Sequence, residues 1–249
     1  MELSRVYAHD NRIAAGGGNP EKPSKLYLLN SATLATTEIG PITGLGTQSL
    51  TDLAIDKDDN MVGVTLDKLF SINPTTGAAT FIKDLDANNV TSLSFIPTDI
   101  NDPTSPDRLV TANSFGDVFE IDPATGNTTM LGNYGVVAQG QVRSSGDLFG
   151  VQGVGIFATV DIGDGQSDTD DYLALIDPVT WVATPIGATG FDKIFGVGFW
   201  GGIIYGFVDN GSGGQMIQID KNTGAGTMLS SSTIRWFGAG VATDAPILN

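Results

Sequence analysis

The chain carries one histidine, His9, and the next residue is Asp10. Imidazole beside carboxylate is the elementary general-base pair, because histidine titrates near neutral pH. His9, Asp10 and Asp52 are the candidate catalytic residues; the plainer reading of His9 is a half-buried, hydrogen-bonded side chain. One histidine and no cysteine exclude thiol nucleophiles, disulfides, Cys-zinc centres and any two-histidine metal site within a chain. A second feature is acidic. Asp161, Asp164, Asp168, Asp170 and Asp171 fall within eleven residues, with Gly163 and Gly165 between them. Calcium takes roughly six to eight oxygens from a flexible loop, which this segment could supply. The spacing differs from an EF-hand and no Glu closes the loop, so a solvated acidic loop is the competing reading.

The elements that must position these residues are short strands. Acids number 28 against 12 Lys plus Arg, a net charge of −16, and 24 of the 28 are Asp. Asp favours caps and turns through its short side chain, whereas Glu favours helix interiors. No stretch of ten or more residues keeps a helical period. One turn signature recurs instead: Asn30-Ser31-Ala32-Thr33-Leu34, Asn73-Pro74-Thr75-Thr76-Gly77, Asp122-Pro123-Ala124-Thr125-Gly126, Asp177-Pro178-Val179-Thr180-Trp181 and Asp220-Lys221-Asn222-Thr223-Gly224, at steps of 43, 49, 55 and 43 residues. The Asx side chain caps such a turn, Pro fixes φ, and Gly supplies positive φ. A short apolar strand precedes each signature and, in most, a Thr-rich one follows. Another strand pair stands upstream, as in Leu53-Ala54-Ile55 and Met61-Val62-Gly63-Val64.

Four antiparallel strands in each unit make a β-propeller blade. The expectation is an all-β, five-bladed propeller over residues 1–249, with blades near 50–87, 90–133, 138–188 and 195–230. The last blade joins 236–244 to 4–40, so strands from both termini close the ring. The run Val118-Phe119-Glu120-Ile121-Asp122-Pro123-Ala124-Thr125-Gly126-Asn127-Thr128-Thr129 resembles the degenerate Asp-Pro-x-Thr-Gly propeller repeats of secreted or surface bacterial proteins. The resemblance spans nearly the whole chain and bears on fold, since propellers host many functions. It implies an extracellular or periplasmic setting. Met1-Glu2-Leu3-Ser4-Arg5 lacks the apolar run of a secretory signal, so a cytoplasmic chain is the alternative. No run reaches the roughly 18 apolar residues of a membrane span, and the cations are too few for a nucleic-acid face. A monomer is expected.

In a propeller the innermost strands line a central channel. On this register Asp52 corresponds to Ser92, Gln139, Gly196 and Gly238, and Asp52 is the one clear channel acid. His9 corresponds to the apolar Val64, Ala112, Val151 and Phe207. The loops entering the inner strands bring Asn89, Lys193, Arg235 and Trp236 to the mouth. With Gln139, these are candidate ligand-binding residues, suited to a carboxylate, a phosphate or a sugar. The plainer reading pairs Lys193 with Asp192 and packs Trp236 between blades. The long segments Asp10–Ser24, Gly153–Asp171 and Asp209–Gly214 share the mouth face, where binding residues gather on a rigid scaffold. The functional expectation is a propeller that binds a small molecule, glycan or protein there. The alternative is a hydrolase of lactones, esters, phosphoesters or glycosides at the channel mouth, assisted by calcium or by no cofactor.

Overall fold

The computed structural model describes residues 4–10, 23–87, 89–163 and 170–247. Every regular element among them is a strand, and the strands form five antiparallel sheets. Blade I holds β4 (Asp52–Ile55), β5 (Met61–Val64), β6 (Lys68–Ile72) and β7 (Ala79–Asp84). Blade II holds β8 (Ser94–Pro97), β9 (Asp107–Ala112), β10 (Asp117–Ile121) and β11 (Thr128–Asn133). Blade III holds β12 (Val136–Val137), β13 (Gly140–Val151), β14 (Gly155–Gly163), β15 (Tyr172–Ile176) and β16 (Ala183–Ala188). Blade IV holds β17 (Ile194–Trp200), β18 (Ile203–Asp209), β19 (Gly214–Ile219) and β20 (Gly226–Ser232). Blade V joins β21 (Trp236–Val241) to β1 (Val6–Asp10), β2 (Lys25–Asn30) and β3 (Ala35–Pro41).

The inner strands β4, β8, β13, β17 and β21 touch one another in a closed circle, so the molecule is a five-bladed β-propeller. The ring is fastened where β21 pairs with β1, Val6 opposite Val241 and Ala8 opposite Ala239. This pairing removes an open sheet edge. The apolar core lies between neighbouring blades as four clusters rather than at one centre.

The repeated turns explain why each blade doubles back. Asn73 Oδ1 accepts from the amides of Thr75 at 2.9 Å and Thr76 at 3.1 Å; Asp122, Asp177, Asp220 and Asn30 repeat the geometry. Gly77, Gly126 and Gly224 then take φ of 74°, 70° and 77°, but Leu34 and Trp181 hold the same left-handed place at 60° and 63°. Such a residue costs on the order of 1–3 kcal/mol unless packing holds it. Trp181 is buried, and the Arg108 guanidinium lies 4.8 Å from its ring centroid. Beyond each turn, the third and fourth strands slip register at one matched place, ahead of Tyr27, Phe70, Phe119, Ala174 and Ile217. A bulge repeated on every outer strand twists the exposed edges away from mutual pairing.

Blade III departs from the sequence register. Its channel-lining segment is the lower part of β13, from Asp147 to Val151, and β14 runs through the stretch that reads as a loop after Gly153. A register shift between Ser144 and Leu148 separates that lower part from an upper hairpin, in which Arg143 faces Asp161. A side chain at Gly146 would run into the Ile194 carbonyl, so glycine is what lets the two blades close there. Among the described residues no helix is long and apolar enough to cross a membrane.

Candidate functional site

The strand register fixes one residue per blade at the waist of the channel: Asp52, Ser92, Asp147, Gly196 and Gly238. Asp147, not Gln139, is the blade III member, so the channel has a second acid. Asp52 Oδ1 accepts from the Leu53 amide at 2.8 Å, and Oδ2 from the Leu93 amide of the next blade at 2.7 Å. Asp147 repeats the pattern, with Leu148 at 2.6 Å and Val197 of the next blade at 3.2 Å. Each carboxyl thus staples its inner strand to the neighbouring one. The two also hydrogen-bond each other, although blades I and III are not adjacent, so they meet across the channel.

Both are buried, Asp52 at 0% and Asp147 at 1% exposure. Burial raises both pKa values well above the usual carboxylate range; for Asp147 the charge of Asp52 adds to it. Two carboxyls in contact there resist ionising together, so burial and mutual repulsion both favour a protonated pair. Glycosidases separate their carboxyls by about 5–10 Å to admit substrate or water. A pair in hydrogen-bond contact leaves no such gap.

His9 completes the waist. A side chain at Gly238 would collide with Asp52 Oδ1 and would come within 2.6 Å of His9 Nε2, so the bare glycine lets carboxyl and imidazole converge over its Cα. His9 is fully buried; Nδ1 lies 3.3 Å from the Asp10 carbonyl oxygen, and Nε2 has no hydrogen-bond partner among the described residues. Burial pulls its pKa down to about 4 against the opposing pull of Asp10, so the ring is neutral at pH 7. The expected His9–Asp10 base pair does not form. The Asp10 carboxylate instead accepts from the Lys25 amide at 2.7 Å and the Tyr27 hydroxyl at 3.4 Å, holding the edge of blade V.

Above the waist the channel opens on aromatic rings. Phe195 and Phe237 stand one residue nearer the mouth than Gly196 and Gly238 and are half-buried. Their rings meet edge to face at 5.0 Å, and Phe237 caps His9 at 5.8 Å. Further out on this face, Leu66, Phe115 and Val136 are 52%, 55% and 71% exposed. Hydrogen bonds join the loops that carry them: the Val90 amide donates to the Leu66 carbonyl, the Ser114 amide to the Asn89 carbonyl, and the Gln141 side chain to the Phe115 carbonyl.

The remaining sequence candidates separate. Lys193 and Arg235 share a groove of about 380 Å³ with Phe191, Asn210 and Gln215. Arg235 is bound through two nitrogens to the buried Asp209, at 2.9 and 2.8 Å, and Lys193 pairs with Asp192 at 2.8 Å. Asn89 is exposed on the mouth face at φ 57°, on blade II's entering loop. Gln139 is exposed in the β12–β13 turn and does not line the channel. Trp236 is buried against Tyr27 and Phe207, at 5.4 and 5.5 Å between ring centroids, because the register shift in β21 turns Phe237 to the mouth in its place.

The acidic loop is only partly on view. Asp164 and Asp168 lie outside the described residues, and Asp170 is exposed. Asp161 and Asp171 lie within electrostatic reach of each other, and the buried Asp161 Oδ1 has no hydrogen-bond partner among the described residues. Asp171 accepts from the Ser145 hydroxyl and, at 2.7 Å, from the Ile194 amide. Burial foremost, then the charges of Asp161 and Asp192, bring Asp171 to about 7. Among the described residues, no three His, Asp or Glu side chains converge to hold a metal ion.

The chain matches no protein-family profile and no curated protein. Solved structures do resemble it. The propeller in the structure of a nidogen/laminin complex aligns at 10% identity and a TM-score of 0.55, covering 97% of this chain and 98% of that one. TolB from Acinetobacter baumannii aligns at 12% identity and 0.48, over 87% of this chain; the match spans about half of TolB, 52%. A protein from Lactobacillus plantarum aligns at 12% and 0.45, over 87% of this chain and 67% of that one. At such identities the likeness is one of fold.

Proposed function

We propose that this chain is a binding propeller that engages a protein or glycan with its mouth face, in an extracellular or periplasmic setting. One observation carries the reading: the half-buried, mutually packed Phe195 and Phe237 stand one residue nearer the mouth than the layer that holds the buried Asp52–Asp147 pair. These two rings stand between the mouth and the ionisable waist. Such rings suit the apolar face of a sugar or an apolar side chain, and Leu66, Phe115 and Val136 widen that surface toward a protein partner. The test is a glycan array together with a peptide-display screen, run on the wild type and on Phe195→Ser/Phe237→Ser. Ligands lost in the double variant support the reading; ligands that bind both forms alike overturn it.

A hydrolytic role draws on one contact, the Ser145 hydroxyl donating to an Asp171 carboxyl whose pKa sits near neutral. A hydroxyl beside such a base is the elementary activated nucleophile. Ester, lactone and phosphoester turnover that disappears in Ser145→Ala would favour this role. Turnover that also falls in His9→Ala, Lys193→Ala or Arg235→Ala would move the chemistry to the channel mouth. Calcium enters as an ion for the loop at 161–171. If it binds only the folded chain, calcium raises and chelator lowers Tm by a few degrees; an unmoved melt sinks that role.

A further inference from the structure

The face opposite the mouth carries the repeated tight turns, with one exception between β8 and β9, where residues 98–106 form a long loop. The end of this loop, at Thr104 and Pro106, borders an open groove of about 760 Å³ between blades I and II. Met61, Ile72, Ile82 and Phe95 form the floor. Pro74, Pro106 and Pro123 stand along its edges and narrow the conformations those edges can take.

Both walls are fixed in place. The loop is tied to blade I through Lys57, whose Nζ donates to the Ser105 carbonyl at 2.9 Å. It is tied to blade III through the Ile100 carbonyl, which accepts from the Gly153 amide at 2.8 Å and from Gln152 Nε2 at 2.7 Å. Within the loop, Asp102 holds the Thr104 amide at 2.8 Å and hydroxyl at 2.7 Å. The facing turn at 56–60 is pinned by Arg5, which donates to Asp59 at 2.9 Å and to the Asp56 carbonyl at 2.8 Å. At the outer end, Lys83 Nζ donates to Asn127 Oδ1 at 2.6 Å and joins the two blades. A preformed groove loses little freedom when it is filled.

Its charge selects the occupant. Asp56, Asp58, Asp59 and Asp107 border the groove, with Lys57 the one cation in its lining. Asp56 spends its oxygens on its own turn, and Asp107 accepts from the Lys57 amide and the Thr243 hydroxyl. Asp58 is exposed and makes no ion pair among the described residues. An apolar floor under an acidic rim, on a chain of net charge −16, matches a segment that is apolar and basic at once.

We propose that this groove docks a peptide segment of a protein partner in which an aliphatic side chain stands beside lysine or arginine, independently of the mouth face. The probe is the peptide N-acetyl-Leu-Arg-Leu-Arg-amide, with N-acetyl-Leu-Glu-Leu-Glu-amide as its charge-reversed control, followed by backbone amide shifts in the full chain. The arginine peptide is expected to move the amides of residues 56–60, 104, 105 and 107, and the glutamate peptide to leave them still. Affinity is expected to fall about tenfold in Asp58→Lys/Ala124→Arg, two exposed turn positions whose side chains hold nothing in the fold, and to weaken with added salt. Phe195→Ser/Phe237→Ser is expected to bind the peptide unchanged, which separates this site from the mouth. No shift at millimolar peptide, equal shifts with both peptides, shifts confined to the mouth, or undiminished binding by Asp58→Lys/Ala124→Arg would each overturn the proposal.

Discussion

Three buried ionisable side chains at the waist pull stability in opposite directions with pH. Asp52 and Asp147 are raised in the folded protein above their unfolded value of about 3.9. Their contribution is therefore full below about pH 4 and is lost as pH rises through the folded values. Asp171, brought to about 7, adds to the same alkaline loss. His9 is lowered to about 4 from an unfolded value near 6.5, so it costs nothing above pH 6.5 and on the order of 3 kcal/mol by pH 4. Tm should accordingly peak at mildly acid pH. In Asp147→Asn the alkaline limb should flatten, with a loss of about 1–2 kcal/mol near pH 5, because the amide cannot accept from both Leu148 and Val197. In His9→Phe, which copies the Phe207 of the neighbouring blade, the acid limb should flatten instead. Calorimetry from pH 4 to 8.5 on the three proteins checks both; an alkaline limb of unchanged slope in Asp147→Asn would show that the buried carboxyl pair does not set that limb.

At the scale of the strand, glycine decides how closely inner strands approach. Gly238→Ala pushes a methyl group into Asp52 and His9 and should cost about 1–3 kcal/mol by overpacking. Gly211 offers a comparison: its φ is 84° but nothing lies within 4 Å of the place a Cβ would take, so Gly211→Ala should show backbone strain alone, about 1–2 kcal/mol, and leave the pH profile intact. A Gly238→Ala profile identical to the wild type would count against a convergence over its Cα. The same strands show what a linear reading can and cannot recover. Asp52, Ser92, Gly196 and Gly238 were legible as one channel layer because each sits at a fixed distance before an alternating apolar run. Asp147 was not, since Ser144-Ser145-Gly146 carries the composition of a turn and hides a strand that continues through a bulge. Trp236 misled for a related reason: a one-residue shift in β21 exchanges which of two adjacent aromatic rings faces the core.

Across the whole molecule, the five-fold architecture was readable from the repeated turns together with the short strands that flank them, and the excess of Asp over Glu largely reports those turns. The turn acids Asp122, Asp177 and Asp220 have lowered pKa values because backbone amides and threonine hydroxyls bond their charged form. They therefore stay ionised and add to a net charge of −16 spread around a closed ring. Ion pairs offset part of this: Arg5 bridges Asp59 and Asp244, Lys25 meets Glu38, and Arg235 grips Asp209. These pairs are mostly half-exposed and individually worth little, whereas repulsion among many unpaired acids acts over the whole surface. The Debye length shrinks from about 30 Å at 0.01 M salt to under 5 Å at 0.5 M, which removes that repulsion before it breaks contacts below 3 Å. Raising NaCl across this range should therefore raise Tm by several degrees, and KCl should act equally. A fall in Tm would mean that the local pairs outweigh the general repulsion. A rise with calcium chloride beyond that of NaCl at equal ionic strength would point to a bound ion, because screening alone does not distinguish cations by the oxygens they prefer.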